Sequence, residues 1–208
     1  MTNRDDQAAR ELWRLFSSRS GHFRFESGHH GNRWLDLERV FLRPGLVRIF
    51  AVALAARIRV FKPDAVCGPL VEGAFMGLMV AEELNVDFVY GERFERGDRE
   101  SLFPVEYHIP PALRGMIAGR RIAIVNDVIN AGSAVQGTFT DLVACDATPV
   151  AIGALLVLGP AAARQAATCG IPLEAIASLP NDLWEPPHCP LCLAGIPLED
   201  PGMRRTPG

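Results

Sequence analysis

The sequence predicts an α/β protein: a parallel twisted sheet flanked by helices, with a small N-terminal hairpin in front of it. From Asp64 onward short apolar segments alternate with helical stretches, the order that builds a parallel sheet covered on both faces. A strand beginning at Arg121 runs into a turn of small residues that opens a helix, as βα units do. Before Asp64, two extended stretches flank a polar loop, which reads as a hairpin.

The elements follow in order. Asp5 or Asp6 caps a helix that continues through Leu12, Leu15 and Phe16 and stops near Gly21. The hairpin strands are 22–26 and 33–37, around Ser27-Gly28-His29-His30-Gly31. Pro44 starts a helix, with Leu46, Ile49, Phe50, Ala53 and Leu54 as its apolar face. Strands are expected at 65–67, 86–90, 121–125 and 150–156, with a weaker one at 175–178. Helices are expected at 74–84, 134–144 and 161–169. Residues 92–119 are long, charged and without apolar periodicity, which predicts a mobile active-site loop. The proline-rich stretch from Pro180 is expected to wrap over the surface. This organisation gives one domain: an N-terminal helix and hairpin (1–43), an α/β core (44–179) and a tail (180–208).

Bulk properties narrow the function classes. The 208 residues suffice for one domain with a real core, and 49% hydrophobic with 22% charged residues is globular composition. A formal charge of -3 excludes a protein that coats nucleic acid, which requires a basic surface. The longest apolar run, 149–158, contains Gly153 and is strand length, so no membrane span is expected. The polar N-terminus and five cysteines, an odd number, point to reduced thiols and a cytoplasmic protein.

The most informative segment is Arg121-Ile-Ala-Ile-Val-Asn-Asp-Val-Ile-Asn-Ala-Gly-Ser-Ala134. The amides of a helix N-terminus are unpaired, and its dipole favours an anion by up to ~1 kcal/mol. Small residues at Ala131, Gly132 and Ser133 allow a phosphate to approach the backbone. Asn126 and Asp127, just before the turn, are placed to accept hydrogen bonds from sugar hydroxyls or to hold a metal. The segment is neither a Walker loop nor a dinucleotide fingerprint, since Gly-Lys-Ser/Thr and the three-glycine spacing are absent. Turn chemistry selects the same residue types, so the pattern alone leaves a plain strand-to-helix connection open.

The segment Ile124-Val-Asn-Asp-Val-Ile-Asn-Ala-Gly-Ser133 resembles the phosphoribosyl-pyrophosphate loop of type I phosphoribosyltransferases. His22-Phe-Arg-Phe-Glu-Ser-Gly-His-His-Gly-Asn-Arg-Trp-Leu-Asp36 resembles the hood hairpin of orotate phosphoribosyltransferases. Cys67-Gly-Pro-Leu-Val-Glu-Gly73 resembles their pyrophosphate-side loop, and Phe88-Val-Tyr-Gly-Glu-Arg93 the start of their mobile catalytic loop. The four matches occur in family order.

The resemblance implies a Mg²⁺-dependent transfer of phosphoribose from phosphoribosyl pyrophosphate to a pyrimidine, orotate, in a homodimer. It assigns Asp127 to the ribose hydroxyls, beside Asn126. Asn130, Ala131, Gly132, Ser133 and Ala134 would surround the 5′-phosphate, and Gly68, Pro69 and Gly73 would shape the pyrophosphate pocket. Arg93, Arg96 and Arg99 would clamp pyrophosphate, from their own or a neighbouring subunit. His29, His30 and Arg33 would meet the base, with Trp34 packing against it or in the core; a solvated turn is the other reading of the histidines.

Three departures from the family pattern stand out. Asn126 replaces the first acid of the usual pair, and Asn130, Ala131 and Ala134 replace cradle hydroxyls. The mobile loop has no lysine, Lys62 being the only one in the chain, and Glu72 occupies a position that is often lysine or neutral. A non-catalytic sensor that keeps the pocket is therefore the rival reading, and another base remains open. His188-Cys-Pro-Leu-Cys192 supplies one Cys-x-x-Cys pair where zinc needs four ligands. Buried reduced thiols are expected, the alternative being a metal completed by His188 with Cys169 or by a dimer partner.

Overall fold

All five residues of strand β3 (Ala65–Pro69) are buried, because the strand lies between parallel neighbours β4 (Asp87–Glu95) and β6 (Arg121–Ile129). The computed structural model describes residues 11–37, 39–95 and 102–201. Strand β7 (Thr148–Leu158) pairs parallel to β6, and β8 (Leu173–Leu179) parallel to β7. Strand β5 (Val105–His108) closes the opposite edge antiparallel to β4, giving the order β5-β4-β3-β6-β7-β8.

Alternation along β6 divides the core between the two faces of the sheet. Ala123 and Val125 point to the face covered by helices α1 (Pro44–Ile58) and α2 (Glu72–Leu84), where they meet Leu54, Met76 and Val80. Ile122 and Ile124 point to the other face, with Ile117 of α3 (Pro111–Ile117) and Leu142 of α4 (Ser133–Ala144). Helix α5 (Ala161–Cys169) adds Ala162 and Ala166 there. Truncating either isoleucine to alanine would cost about 2–5 kcal/mol, through lost transfer energy and the cavity left behind.

A second, three-stranded antiparallel sheet forms the hood: β1 (Ser17–Arg24), β2 (His30–Asp36) and β9 (Leu183–Trp184), in that order. A bulge at Gly21 and His22 interrupts β1, between the pairs Ser20↔Arg33 and Phe23↔Gly31. The tail continues through a short helix, α6 (Pro190–Leu193), and returns to β1. There the Arg24 amide donates to Glu199 and the Glu199 amide to His22, both at 2.8 Å. Among the described residues no helix is long and apolar enough to cross a membrane.

Several expectations are corrected. Residues 92–119 do not form one loop: β4 extends to Glu95, and β5 and α3 occupy 105–108 and 111–117. Val105 and Tyr107 are the buried alternates of β5, too short a run to register as a strand by pattern. The buried face of α1 is Val47, Phe50, Ala51 and Leu54, while Leu46 and Ile49 are exposed. This helix is apolar nearly all round, so its periodicity does not select a face. Residues 11–13 are helical and Leu12 and Phe16 are buried, but β1 begins at Ser17, well before Gly21. The proposed caps Asp5 and Asp6 lie outside the described residues.

Candidate active site

The chain enters the sheet at β3, moves outward to β4, and returns to the opposite side of β3 as β6. The strand order therefore reverses between β3 and β6, and a crevice opens beyond their C-terminal ends, where ligands bind in open α/β sheets. A cavity of about 230 Å³ occupies it. Its floor is the 126–135 segment, one wall is Pro69 to Gly73, and its roof is the hood, through Phe25, Glu26, Ser27, Arg33 and Trp34.

The β6–α4 turn is shaped as a cradle. Gly132, immediately before α4, has φ +88, a left-handed conformation that favours glycine. Only at Gln136 does an amide first close onto the helix, donating to the Gly132 carbonyl at 2.9 Å. The preceding α4 amides have no partner within the helix itself. Asn130 is held by the tail, its Oδ1 accepting from Asn181 Nδ2 at 3.1 Å.

Asp127 is buried in the cavity floor, and its Oδ2 has no hydrogen-bond partner among the described residues. Desolvation is the main reason that its carboxyl is pushed up to about 7, with Glu72 adding like-charge repulsion against stabilising backbone hydrogen bonds. Beside it, Asn126 donates through Nδ2 to the Val128 carbonyl at 3.1 Å. A Cβ on Gly73 would lie 2.1 Å from Asn126 Oδ1, so this close approach requires glycine. The Leu70–Val71 peptide bond in the same wall is cis.

Glu26 gathers the opposite rim. Its carboxylate accepts from Ser133 Oγ at 3.2 Å, from the Tyr107 hydroxyl at 3.0 and 3.1 Å, and from Arg93 Nε at 2.9 Å. Arg93 also reaches Glu95 at 3.1 Å. Burial, with Glu26 beside it, raises the Tyr107 hydroxyl well above the ordinary phenol range, so it acts as a donor. Phe25 and Trp34 stack with ring centroids 6.1 Å apart and planes 8° from parallel.

The cavity collects Asn126, Asp127, Asn130, Ala131, Gly132, Ser133, Ala134, Pro69, Gly73 and Arg33 from the residues singled out by sequence. Four others are placed elsewhere. Gly68 does not line the cavity; it lies beneath α2, where a Cβ would come within 2.6 Å of the Gly73 carbonyl. His29 turns to Ser27 Oγ at 3.1 Å and stands edge-on to Phe103, outside the cavity. Arg93 sits behind Glu26, paired with carboxylates rather than lining the cavity. His30 is buried in the hood, neither a solvated turn nor a cavity residue, and Trp34 lines the cavity instead of filling the core. Arg96 and Arg99 lie outside the described residues.

Sequence reasoning missed Glu26 and Tyr107. Both approach the cradle only through pairings that no local pattern reveals, since Tyr107 stands opposite Arg93 in the β4–β5 ladder. A usable signal for Glu26 was its position beside the hood turn, a lone carboxylate among His22, Arg24, His29 and His30.

No protein-family model matches the chain. Orotate phosphoribosyltransferase of Caulobacter vibrioides is 31% identical over 210 residues, covering 100% of both chains. Among solved structures, orotate phosphoribosyltransferase of Aeropyrum pernix superposes with a TM-score of 0.62 at 22% identity, covering 82% of this chain and 93% of that one. Adenine phosphoribosyl transferase of Trypanosoma brucei, in complex with AMP, pyrophosphate and ribose-5-phosphate, gives 0.66 at 18% identity, covering 82% and 79%. These superpositions show that the fold is shared. Alignment over its whole length, joined to this fold, means that the chain belongs to the orotate phosphoribosyltransferase family, within the type I phosphoribosyltransferases.

Proposed function

We propose that the protein transfers phosphoribose from phosphoribosyl pyrophosphate to orotate, giving orotidine monophosphate and pyrophosphate. The observation that carries this reading is Asp127, a buried carboxyl with an unpartnered oxygen beside a helix-N-terminal cradle. Ribose hydroxyls would satisfy Oδ2, while the amides following Gly132 would receive the 5′-phosphate. The Pro69–Gly73 wall would then face the pyrophosphate. Phe25 and Trp34 offer an aromatic surface for a planar base, and Arg33 a cation for the carboxylate of orotate.

As positive charge develops on the sugar carbon, Asp127 stands where a carboxylate would offset it. The acids Asp127 and Glu72, both lining the cavity, fit a divalent cation bound together with substrate, and they are the residues that would hold Mg²⁺ there. Its contribution would be to neutralise charge on the leaving pyrophosphate. Exposed Leu46, Ile49 and Val52 on α1, with Phe75 and Leu78 on α2, supply an apolar surface suited to a homodimer. A cytoplasmic location accords with five cysteines free of disulfides.

A non-catalytic binding protein of the same fold is the second reading. It is favoured by Glu26, which occupies the hydroxyl of Ser133 and pairs with Arg93. Calorimetric titration of phosphoribosyl pyrophosphate with and without Mg²⁺, followed by absorbance assays with orotate and with adenine, separates the readings. Turnover of orotate supports the transferase. Turnover of adenine alone replaces the base. Metal-dependent binding without turnover supports the sensor, and no binding at all removes the site.

A further inference from the structure

Four side chains far apart in sequence meet in the hood: His22 from the β1 bulge, His30 from the start of β2, Cys189 just before α6 and Cys192 within it. Their ligand atoms all lie within 4.8 Å of one another. His22 Nε2 is 3.2 Å from His30 Nδ1, 3.4 Å from Cys189 Sγ and 3.6 Å from Cys192 Sγ, and Cys192 Sγ is 3.2 Å from His30 Nδ1. His22, His30 and Cys189 are buried, and Cys192 is exposed.

Hydrogen bonding within the group cannot account for this convergence. The other nitrogen of His22, Nδ1, lies 2.8 Å from the Ile196 carbonyl, which can only accept, so Nδ1 carries the proton. Nε2 of a neutral ring then has one lone pair, yet three groups crowd around it. One donor would satisfy that lone pair and leave the others facing each other. A cation at the centre takes one lone pair from each of the four atoms at once.

We propose that His22, His30, Cys189 and Cys192 form a structural Zn²⁺ site that fastens the tail to the hood. In tetrahedral zinc, bond lengths of about 2.0–2.1 Å to nitrogen and about 2.3 Å to sulfur set the ligands about 3.3–3.4 Å (N···N) and about 3.5–3.6 Å (N···S) apart. The nitrogen pair at 3.2 Å and three of the four mixed pairs at 3.2–3.6 Å lie close to that geometry. Two nitrogens and two thiolates are a donor set that selects zinc, and the Ile196 carbonyl supplies the outer hydrogen bond that orients a metal-bound imidazole. Binding releases two thiol protons to solvent, and the resulting complex of one dication, two thiolates and two neutral imidazoles is uncharged, as burial demands. The site replaces the expectation of reduced thiols in the tail. It also differs from a set built on His188, whose side chain is exposed and faces Glu185, or on Cys169, which contacts Gln136.

The clamp grips both ends of the hood turn, since His22 and His30 bracket Phe25, Glu26 and Ser27, which line the cavity. Zinc would order that roof without touching substrate. The site stands apart from the phosphate cradle, and a zinc-loaded chain without transferase activity would leave it intact.

The full chain, purified with thiols reduced and without chelator, is analysed for metal by plasma mass spectrometry. It is then reloaded with Co²⁺ as a spectroscopic probe. One zinc per chain is expected, and in the cobalt form a thiolate-to-metal charge-transfer band with tetrahedral d–d absorption. Cys192→Ser, at an exposed position, and His30→Ala should lose both signals and show faster hydrogen exchange at residues 22–30, while Cys169→Ala keeps them. Should a variant fail to fold, the wild-type cobalt spectrum decides alone. Wild type holding less than roughly a tenth of an equivalent of zinc and giving no tetrahedral cobalt spectrum overturns the site. So does metal retained by Cys192→Ser, or a Cys189–Cys192 disulfide in the reduced preparation.

Discussion

Ser133 Oγ lies 3.2 Å from Glu26 Oε1, so the hydroxyl that opens α4 donates to a carboxylate of the hood. Under the proposed function a phosphate entering the cradle would meet that carboxylate, whose negative charge would oppose the anion. Replacing Glu26 by glutamine keeps the shape and removes the charge. Ribose 5-phosphate should then bind about fivefold to tenfold more tightly, the order expected of ~1–1.4 kcal/mol of screened repulsion. Calorimetric titration measures it, and equal or weaker binding would show that Glu26 does not oppose the phosphate.

Asp127 ties stability to pH with an unusual sign. Its carboxyl is raised from 3.8 to about 7, so across that interval the folded chain keeps a proton that the unfolded chain releases. The unfavourable term therefore grows as pH rises from about 3.8 and levels off above about 7, reaching on the order of 4 kcal/mol. Asp127→Asn should match wild type near pH 4 and melt at a higher temperature at pH 8, while losing affinity for phosphoribosyl pyrophosphate by roughly tenfold or more. Melting curves at the two pH values check the first half. A variant less stable than wild type at pH 8 would mean that the ionised carboxylate is not strained.

Gly73 and Asn126 should be energetically coupled. Gly73→Ala pushes a Cβ onto Asn126 Oδ1, forces the amide from the Val128 carbonyl, and should destabilise by about 1–3 kcal/mol. In an Asn126→Ala background the same substitution should cost much less, because the clashing atom is gone. Denaturant unfolding of the four proteins in this cycle gives the coupling directly, and additive effects would refute it.

His108 anchors β5 to α4 through Asp141 Oδ1 at 2.9 Å, and this bond, followed by the one to Glu106, raises its imidazole above the ordinary value of 6.5. The pairing stabilises the fold fully below the unfolded value, and the contribution is lost as pH rises through the raised one. Its side chain is 41% exposed, so solvent screening keeps the effect small. Proton NMR should show His108 titrating above 6.5 in wild type and lower in Asp141→Asn; identical titration would detach His108 from Asp141.

Outside 92–119, the strand-helix rhythm of 65–179 was legible because buried parallel strands announce themselves as apolar runs, and the Asp127–Ser133 turn because a helix-opening cradle needs small residues there. What pattern could not convey was long-range. The pairing of Arg93 with Tyr107 puts 92–95 and 105–108 in a strand ladder rather than a loop, yet only four residues of β5 carry the alternation. The partners of Cys189 are equally hidden, because His22 reaches it through a bulge and a chain return 167 residues away.

The return of the tail to β1 and β2 has a consequence for biosynthesis. Everything needed for the six-stranded sheet has been translated by Leu179, whereas the hood lacks β9 until Leu183 and Trp184 emerge, and its contact with Glu199 until later still. Cotranslational folding should thus complete the central sheet first and leave the hood strands waiting, apolar Phe23 included, for the final segment to leave the ribosome. A nascent chain stalled at Pro180 would carry the β6–α4 turn without its finished roof.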